Sequence, residues 1–308
     1  MRRPRQSASH VTFDDYAVDP DDEHPSRPLV RTRLSPALAH AAADLAAAGV
    51  QSPRVDAELL AAHVLQVPRG RLLLIDALRP DELRRFTALV AERARRIPLQ
   101  HLLGTAAFRH LELSVGDGVF VPRPETELLA GWGIERTQEG ATVVDLCSGT
   151  GAIALSVADE ARPARVIAVE RSPAALPFLR RNAAGFPAVR VVEGDVTDPD
   201  LLAGLRGEVD VLLCNPPYVP AGTPVPPEVA EHDPAEAVFG GADGLAVIRP
   251  VVALAAGLLR PGGQVGIEHD DVHGTAVPDL LRADGRFVEV TAHADLAGRP
   301  RFATARRA

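Results

Sequence analysis

The sequence predicts an α/β fold: a doubly wound, mainly parallel sheet preceded by a small N-terminal helical domain and a β-hairpin linker. Three observations predict it. Short apolar runs at 143–146, 166–169, 189–192, 209–214 and 264–268 alternate with segments of helix length, as parallel strands joined by crossover helices do. A glycine-rich turn follows the first of these runs and opens a helix. Ahead of the sheet, two Ser-Pro pairs each precede apolar residues at helical spacing.

In chain order, residues 1–32 are polar, rich in Asp, Ser, Pro and Arg, and without apolar periodicity, so a disordered tail is expected. Ser35 is expected to cap a first helix, with Pro36 at its first position and Gly49 ending it after Leu38 and Leu45. Ser52 and Pro53 repeat the signal before Val55, Leu59, Leu60 and Val64. A third helix spans about 81–95, with Leu83, Phe86, Leu89 and Val90 on one side. Residues 33–97 thus form a helical domain. Over 98–118 the pattern shifts to alternation, with Phe108, Leu111, Leu113 and Val115 separated by polar residues and turns at Gly104 and Gly116. That predicts the hairpin linker. Residues 119–308 form the sheet domain.

Composition narrows the function classes. A chain of 308 residues that is 46% hydrophobic and 24% charged reads as an ordinary soluble protein of two domains. Its net charge of −8 argues against a nucleic-acid surface over the whole molecule. Arg84, Arg85, Arg93, Arg95 and Arg96 form a local basic cluster, read as a solvated helix face or as a seat for an acidic partner. No run of about 18 apolar residues indicates a membrane span. Arg2, Arg3 and Arg5 lack a following apolar region, and the acidic residues of 14–23 argue against a transit peptide, so a cytoplasmic location is expected. Cys147 and Cys214 are too few for a disulfide framework or, alone, a metal cluster. They read as free thiols flanking one cleft, and no metal is expected.

The chemistry concentrates at Asn215, Pro216, Pro217 and Tyr218, directly after the apolar run 209–214. In open α/β sheets ligands bind beyond the carboxyl ends of the strands, so Asn215 points into a cleft. Two prolines contribute carbonyls and no N–H donors, which makes the tetrad acceptor-rich. The Asn215 side-chain oxygen and the Pro216 carbonyl can each take one hydrogen of a planar –NH2 group, with the Tyr218 ring against its flat face. A carboxamide, adenine N6 or cytosine N4 fits equally.

The turn Asp145-Leu-Cys-Ser-Gly149-Thr-Gly151 brings backbone close to a ligand, and Glu170 ends the next strand where it can accept from ribose hydroxyls. The spacing Gly149, Gly151, Ala154 also fits a dinucleotide fingerprint, so an NAD enzyme stays in view. Asp145 separates the two: an acid there suits the ammonium of an amino-acid-bearing cofactor, S-adenosylmethionine, better than a pyrophosphate. Asp195, after the third run, is read as an acceptor for an adenine amino group, or as a helix cap.

Together, Asp145 to Gly151, Glu170, Asp195 and Asn215 to Tyr218 resemble class I S-adenosylmethionine-dependent methyltransferases, specifically the release-factor glutamine N5-methyltransferases of the PrmC/HemK type. The segments 98–104, 121–127, 232–234, 239–245 and 295–299 resemble that family's in the same order. The resemblance implies a seven-stranded methyltransferase sheet. It also implies that Cys147, Ser148, Gly149, Thr150 and Gly151 wrap the methionine portion, Glu170 binds ribose, Asp195 and Val196 border adenine, and Asn215, Pro216, Pro217 and Tyr218 hold the substrate amide. Cys147 stands where Gly is common, Glu170 where Asp is, and Glu268-His-Asp-Asp271 departs from the usual Glu-Ile-Gly. The implied reaction is methylation of the Gln amide in the Gly-Gly-Gln loop of class-I peptide release factors, docked on the helical domain and hairpin. The alternatives are amino-methylation of DNA or RNA, at adenine N6 or guanine N2, and non-catalytic cofactor binding. No general base is assigned to His232 or His269, because the proton leaves readily once the nitrogen is alkylated.

Overall fold

The computed structural model describes residues 31–308, so almost all of the expected tail lies outside the described residues. Its last residue, Thr32, instead starts strand β1 (Thr32–Arg33), paired antiparallel with β2 (Ala77–Leu78). Helices α1 (Leu34–Ala47), α2 (Pro53–Leu65) and α3 (Pro80–Ala94) enclose a core containing Leu38, Leu45, Leu60, Leu78 and Phe86. α1 begins behind Arg33, so Ser35 lies inside the first turn and caps nothing, contrary to expectation. α2 does start at Pro53 behind Ser52. At α3 the Arg79 N–H donates to Glu82 at 2.7 Å, satisfying a donor that the helix start would otherwise orphan.

The expected linker begins differently. α4 (Leu99–Leu103) is a short helix whose leucines 99, 102 and 103 pack on the helical core, and the hairpin proper is β3 (Thr105–Phe108) with β4 (Leu111–Ser114). Pro98 at its N-cap and Gly104, at φ +75°, set the entry and exit of that turn.

The second half contains α5 (Thr126–Arg136), β5 (Thr142–Leu146), α6 (Ala152–Glu160), β6 (Arg165–Glu170), α7 (Leu176–Ala183), β7 (Val189–Glu193) and β8 (Val209–Cys214). It continues through α8 (Pro227–His232), α9 (Ala235–Val238), α10 (Ile248–Leu258), β9 (Leu259–Glu268), α11 (Ala276–Asp284), β10 (Phe287–Ala294) and β11 (Pro300–Arg307). Seven strands form one sheet in the order β10-β11-β9-β8-β5-β6-β7. β7, β6, β5, β8 and β9 run parallel, and β11 pairs antiparallel with both β9 and β10. Side chains alternate across it. Val144, Leu146, Leu212 and Cys214 join one core with α10 and α11, while Val143, Val211 and Leu213 join the other with α5 and α6. The chain lays β6 and β7 on one side of β5, then returns to place β8 on the other. The order therefore reverses at β5, and the crevice beyond β5 and β8 is where such sheets bind ligands.

An ionic network joins the two halves. Arg93, 6% exposed, donates to Asp56 at 2.8 Å and to Glu228 of α8 at 3.0 Å, and Arg96 grips the same Glu228 at 2.5 and 2.8 Å. Burial works against ionisation of Glu228, but the two guanidiniums outweigh it and hold its carboxyl down at about 2. The arginine cluster is thus neither a uniform solvated face nor an open seat: Arg93 and Arg96 are committed within the chain, and Arg95 and Arg85 pair with Glu92 and Asp81.

Candidate active site

After β5 the chain turns sharply through residues in the left-handed region: Cys147 at φ +59°, Gly149 at +55° and Gly151 at +89°. A side chain costs about 1 kcal/mol there, which is the physical reason a glycine is common where Cys147 stands. The Ser148 hydroxyl donates back to the Asp145 carbonyl at 2.9 Å, and both Ser148 and Thr150 are buried, so they shape the loop. Asn182 of α7 donates to the Thr150 carbonyl at 3.0 Å and to that of Ser114 at 3.1 Å, while accepting from the Ser114 N–H at 2.8 Å. This side chain, which sequence reading passed over, ties the hairpin to the loop.

The loop opens on a cleft at the switch point. Of the residues expected at the site, Cys147, Gly149, Glu170, Asp195, Val196, Asn215 and Pro217 line it. Asp145, Ser148, Thr150, Gly151, Pro216 and Tyr218 adjoin these residues in the chain and are not part of that lining. Glu170 accepts from the backbone N–H groups of Gly149, Arg171 and Ser172, each at 2.8 Å, and so anchors the loop to the end of β6. Asp195 accepts from the Thr197 N–H at 2.8 Å in a tight local turn. Arg171 reaches Asp195 at 3.2 Å and Glu236 at 3.9 Å, bridging the ends of β6 and β7 to α9. Phe120, Arg171, Glu236 and Val247 also line the cleft and were not read from sequence; Phe120 and Arg171 had a signal, their places beside the 121–127 segment and beside Glu170. Cys214 is fully buried, and burial with the Cys147 thiol beside it pushes its thiol well up, so it remains a thiol at neutral pH.

Asp145 is 1% exposed. One carboxyl oxygen accepts from the Ala154 N–H at 3.2 Å, at the start of α6, and the other has no partner among the described residues. Burial pushes its pKa up to about 7. An orphaned buried acceptor beside a glycine loop fits a cationic amino group, directly or through water, since that would supply both the missing donor and a counter-charge.

The tetrad at the end of β8 is wired into the fold. The Asn215 Nδ2 donates to the Thr126 hydroxyl at 3.1 Å, the Thr126 hydroxyl to Glu268 Oε1 at 3.2 Å, and the Tyr218 hydroxyl to the same Oε1 at 3.1 Å. Burial and the neighbouring Glu268 push the Tyr218 hydroxyl up, so it acts as a donor and not as a base. His269 is fully buried with its Nδ1 2.8 Å from the Asp270 carbonyl, and burial pushes its pKa down.

Glu268 is 1% exposed, and burial pushes its pKa from 4.5 up to about 7. Between those values the folded state binds more protons than the unfolded one, so stability falls as pH rises through that window. The raised pKa corresponds to on the order of 3 kcal/mol lost above pH 7. Glu268→Gln, a neutral isostere, is expected to melt close to wild type at pH 5 and above it at pH 8. Parallel melting curves at both pH values that leave the difference unchanged would refute this.

Two family descriptions match the chain: "PrmC N-terminal domain" over residues 36–104 and "Methyltransferase small domain" over 126–231. The release factor glutamine methyltransferase of Mycolicibacterium smegmatis is 58% identical over 277 residues, 90% of this chain and 98% of that protein. Those of Mycobacterium tuberculosis and Corynebacterium glutamicum are 48% and 47% identical, each over 89% of this chain and over 91% and 99% of theirs.

Proposed function

The chain belongs to the release factor glutamine methyltransferase family, and from that premise we propose that its cleft binds S-adenosylmethionine and its tetrad presents a release-factor Gln amide for N5-methylation. The observation that carries this reading is the bonding of Asn215: its Nδ2 is spent on Thr126 while the residue lines the cleft, which leaves its Oδ1 as the acceptor for a substrate –NH2. When bound, the cofactor supplies an electrophilic methyl on a sulfonium. Asp145 holds the ammonium, Cys147 and Gly149 follow the methionine portion, Glu170 takes the ribose, and Asp195 and Val196 flank the adenine. Ser148, Thr150 and Gly151 set the loop's shape.

An amide nitrogen is a weak nucleophile because its lone pair is delocalised into the carbonyl. Asn215 Oδ1 and the Pro216 carbonyl each accept one of its hydrogens, which polarises the nitrogen and fixes its direction of approach. Positioning of this kind supplies several of the roughly 7–11 kcal/mol available to well-oriented reactants. Pro217 and the Tyr218 ring restrict the amide's plane. The proton departs to solvent after alkylation, and no general base is required. The helical half and hairpin, about residues 33–118, dock the release factor, and the Arg93–Glu228–Arg96 network holds them against the sheet domain.

The test is to incubate the protein with methyl-labelled S-adenosylmethionine and either a class-I release factor or nucleic acid. Label in the Gly-Gly-Gln tryptic peptide of the release factor is the expected result; label in nucleic acid alone refutes it.

A further inference from the structure

We propose that Thr126 and Glu268 are positioning residues that set which end of the Asn215 amide faces the substrate. This rests on the amide-clamp reading above and extends it to two side chains that touch neither substrate nor cofactor. The three groups meet from distant parts of the chain: Asn215 follows β8, Thr126 opens α5, and Glu268 ends β9. With Glu268 Oε1 as the acceptor of two hydroxyls, the hydrogen bonds between them run in one direction.

Glu268 Oε1 receives both the Thr126 hydroxyl at 3.2 Å and the Tyr218 hydroxyl at 3.1 Å, and it accepts both whether the carboxyl is ionised or carries its proton on Oε2, the oxygen with no partner among the described residues. The proton of Thr126 is therefore committed to Glu268. What Thr126 Oγ1 offers toward Asn215, at 3.1 Å, is a lone pair, and only the Nδ2 end of the amide can meet it. A flipped Asn215 would set oxygen against oxygen at Thr126 and present N–H donors to a substrate –NH2 that also has only donors to offer. Thr126 is 4% exposed and Glu268 1%, so water does not compete for these bonds. The chain Tyr218–Glu268–Thr126–Asn215 thus converts an ambiguous carboxamide into a directed acceptor.

The composition of the protein makes this directly measurable, because Asn182 and Asn215 are its only asparagines. Labelling with side-chain 15N-asparagine gives two NH2 signals. Asn182, bonded to the Thr150 and Ser114 carbonyls, is an internal reference. In the full-length protein the Asn215 pair is expected to be protected from hydrogen exchange. Thr126→Val, which keeps shape and loses the hydroxyl, is expected to abolish that protection and leave Asn182 unmoved. It is also expected to lower kcat about 10- to 100-fold while the cofactor KM stays within about twofold. Thr126→Ser restores the hydroxyl and is expected to recover most of both losses. Retention of Asn215 protection in Thr126→Val, a kcat within about twofold of wild type there, or a Thr126→Ser protein as impaired as Thr126→Val overturns the proposal. A wild type that fails to methylate release factor while its Asn215 signal responds to Thr126→Val as described supports the directed chain and refutes the substrate assignment, so the two readings fail separately.

Discussion

Asn215→Ala is expected to lower kcat for methyl transfer by about 10³-fold, the scale seen when one preorganised hydrogen-bonding group is removed from a transition-state site. The substitution deletes the Oδ1 acceptor that grips one N–H of the amide and leaves the Pro216 carbonyl to hold it by a single bond. The fold should survive it. Asn215 is only half-buried, and the one bond it gives the protein, to Thr126, is worth about 1 kcal/mol. Cofactor affinity, set mainly by the loop after β5 and by Glu170, is expected to change little. The measurements are single-turnover transfer to a release factor and calorimetric titration with S-adenosylmethionine. Full transfer activity in a folded Asn215→Ala protein would remove the amide clamp.

Gly244→Ala is expected to carry the largest stability cost, about 2–5 kcal/mol from left-handed backbone strain together with overpacking. Gly244 has φ +73°, and a methyl group there would press on the Tyr218 carbonyl and lie 2.5 Å from His273 Cε1. The segment around it is laced to the tetrad: Gly240 N–H donates to the Val219 carbonyl at 2.9 Å, and a methyl at Gly240 would lie 2.5 Å from the Pro217 carbonyl. Because the obstruction falls on backbone and not on the tip of a flexible side chain, relief requires moving the tetrad itself. A drop in the urea midpoint is therefore expected together with lost transfer. Unchanged stability and kcat would show that the segment yields more easily than its packing implies.

Much of this was readable from local pattern. The runs ending at Leu146, Val169 and Cys214 are mainly apolar because both faces of those strands are buried, and the turn that begins at Cys147 and the tetrad that begins at Asn215 each follow a run directly. β10 and β11 were not readable as strands. β10 is an edge strand with register breaks between Val288 and Thr291 and again after His293, so its buried positions do not alternate, while β11 buries four successive residues, Phe302 to Ala305, of which all but Phe302 are Ala or Thr. Ser35 looked like a cap because the sequence pair Ser-Pro carries that signal, but the helix starts earlier, where the short β1–β2 pairing releases the chain. Asp145 read as a ligand contact from its place at the end of β5, but that Ala154 holds one of its oxygens and leaves the other without a partner among the described residues is a feature of the folded loop.

The division has a physical basis. Strand runs, turn glycines and the acceptor-rich tetrad are encoded by residues within a few positions of one another, and the chain therefore determined by itself the fold class, the position of the cleft and the residue that faces it. The direction of the Asn215 amide depends on Thr126, 89 residues away, and through it on Glu268, a further 142 residues along. Glu228 meets Arg93 and Arg96 across 135 and 132 residues. These are contacts made only when β8, β9 and α5 converge and when the helical half closes on α8. Tertiary structure alone decided them, because hydrogen-bond direction and charge pairing depend on which groups are buried together, and burial is a property of the folded chain and not of any local stretch of it.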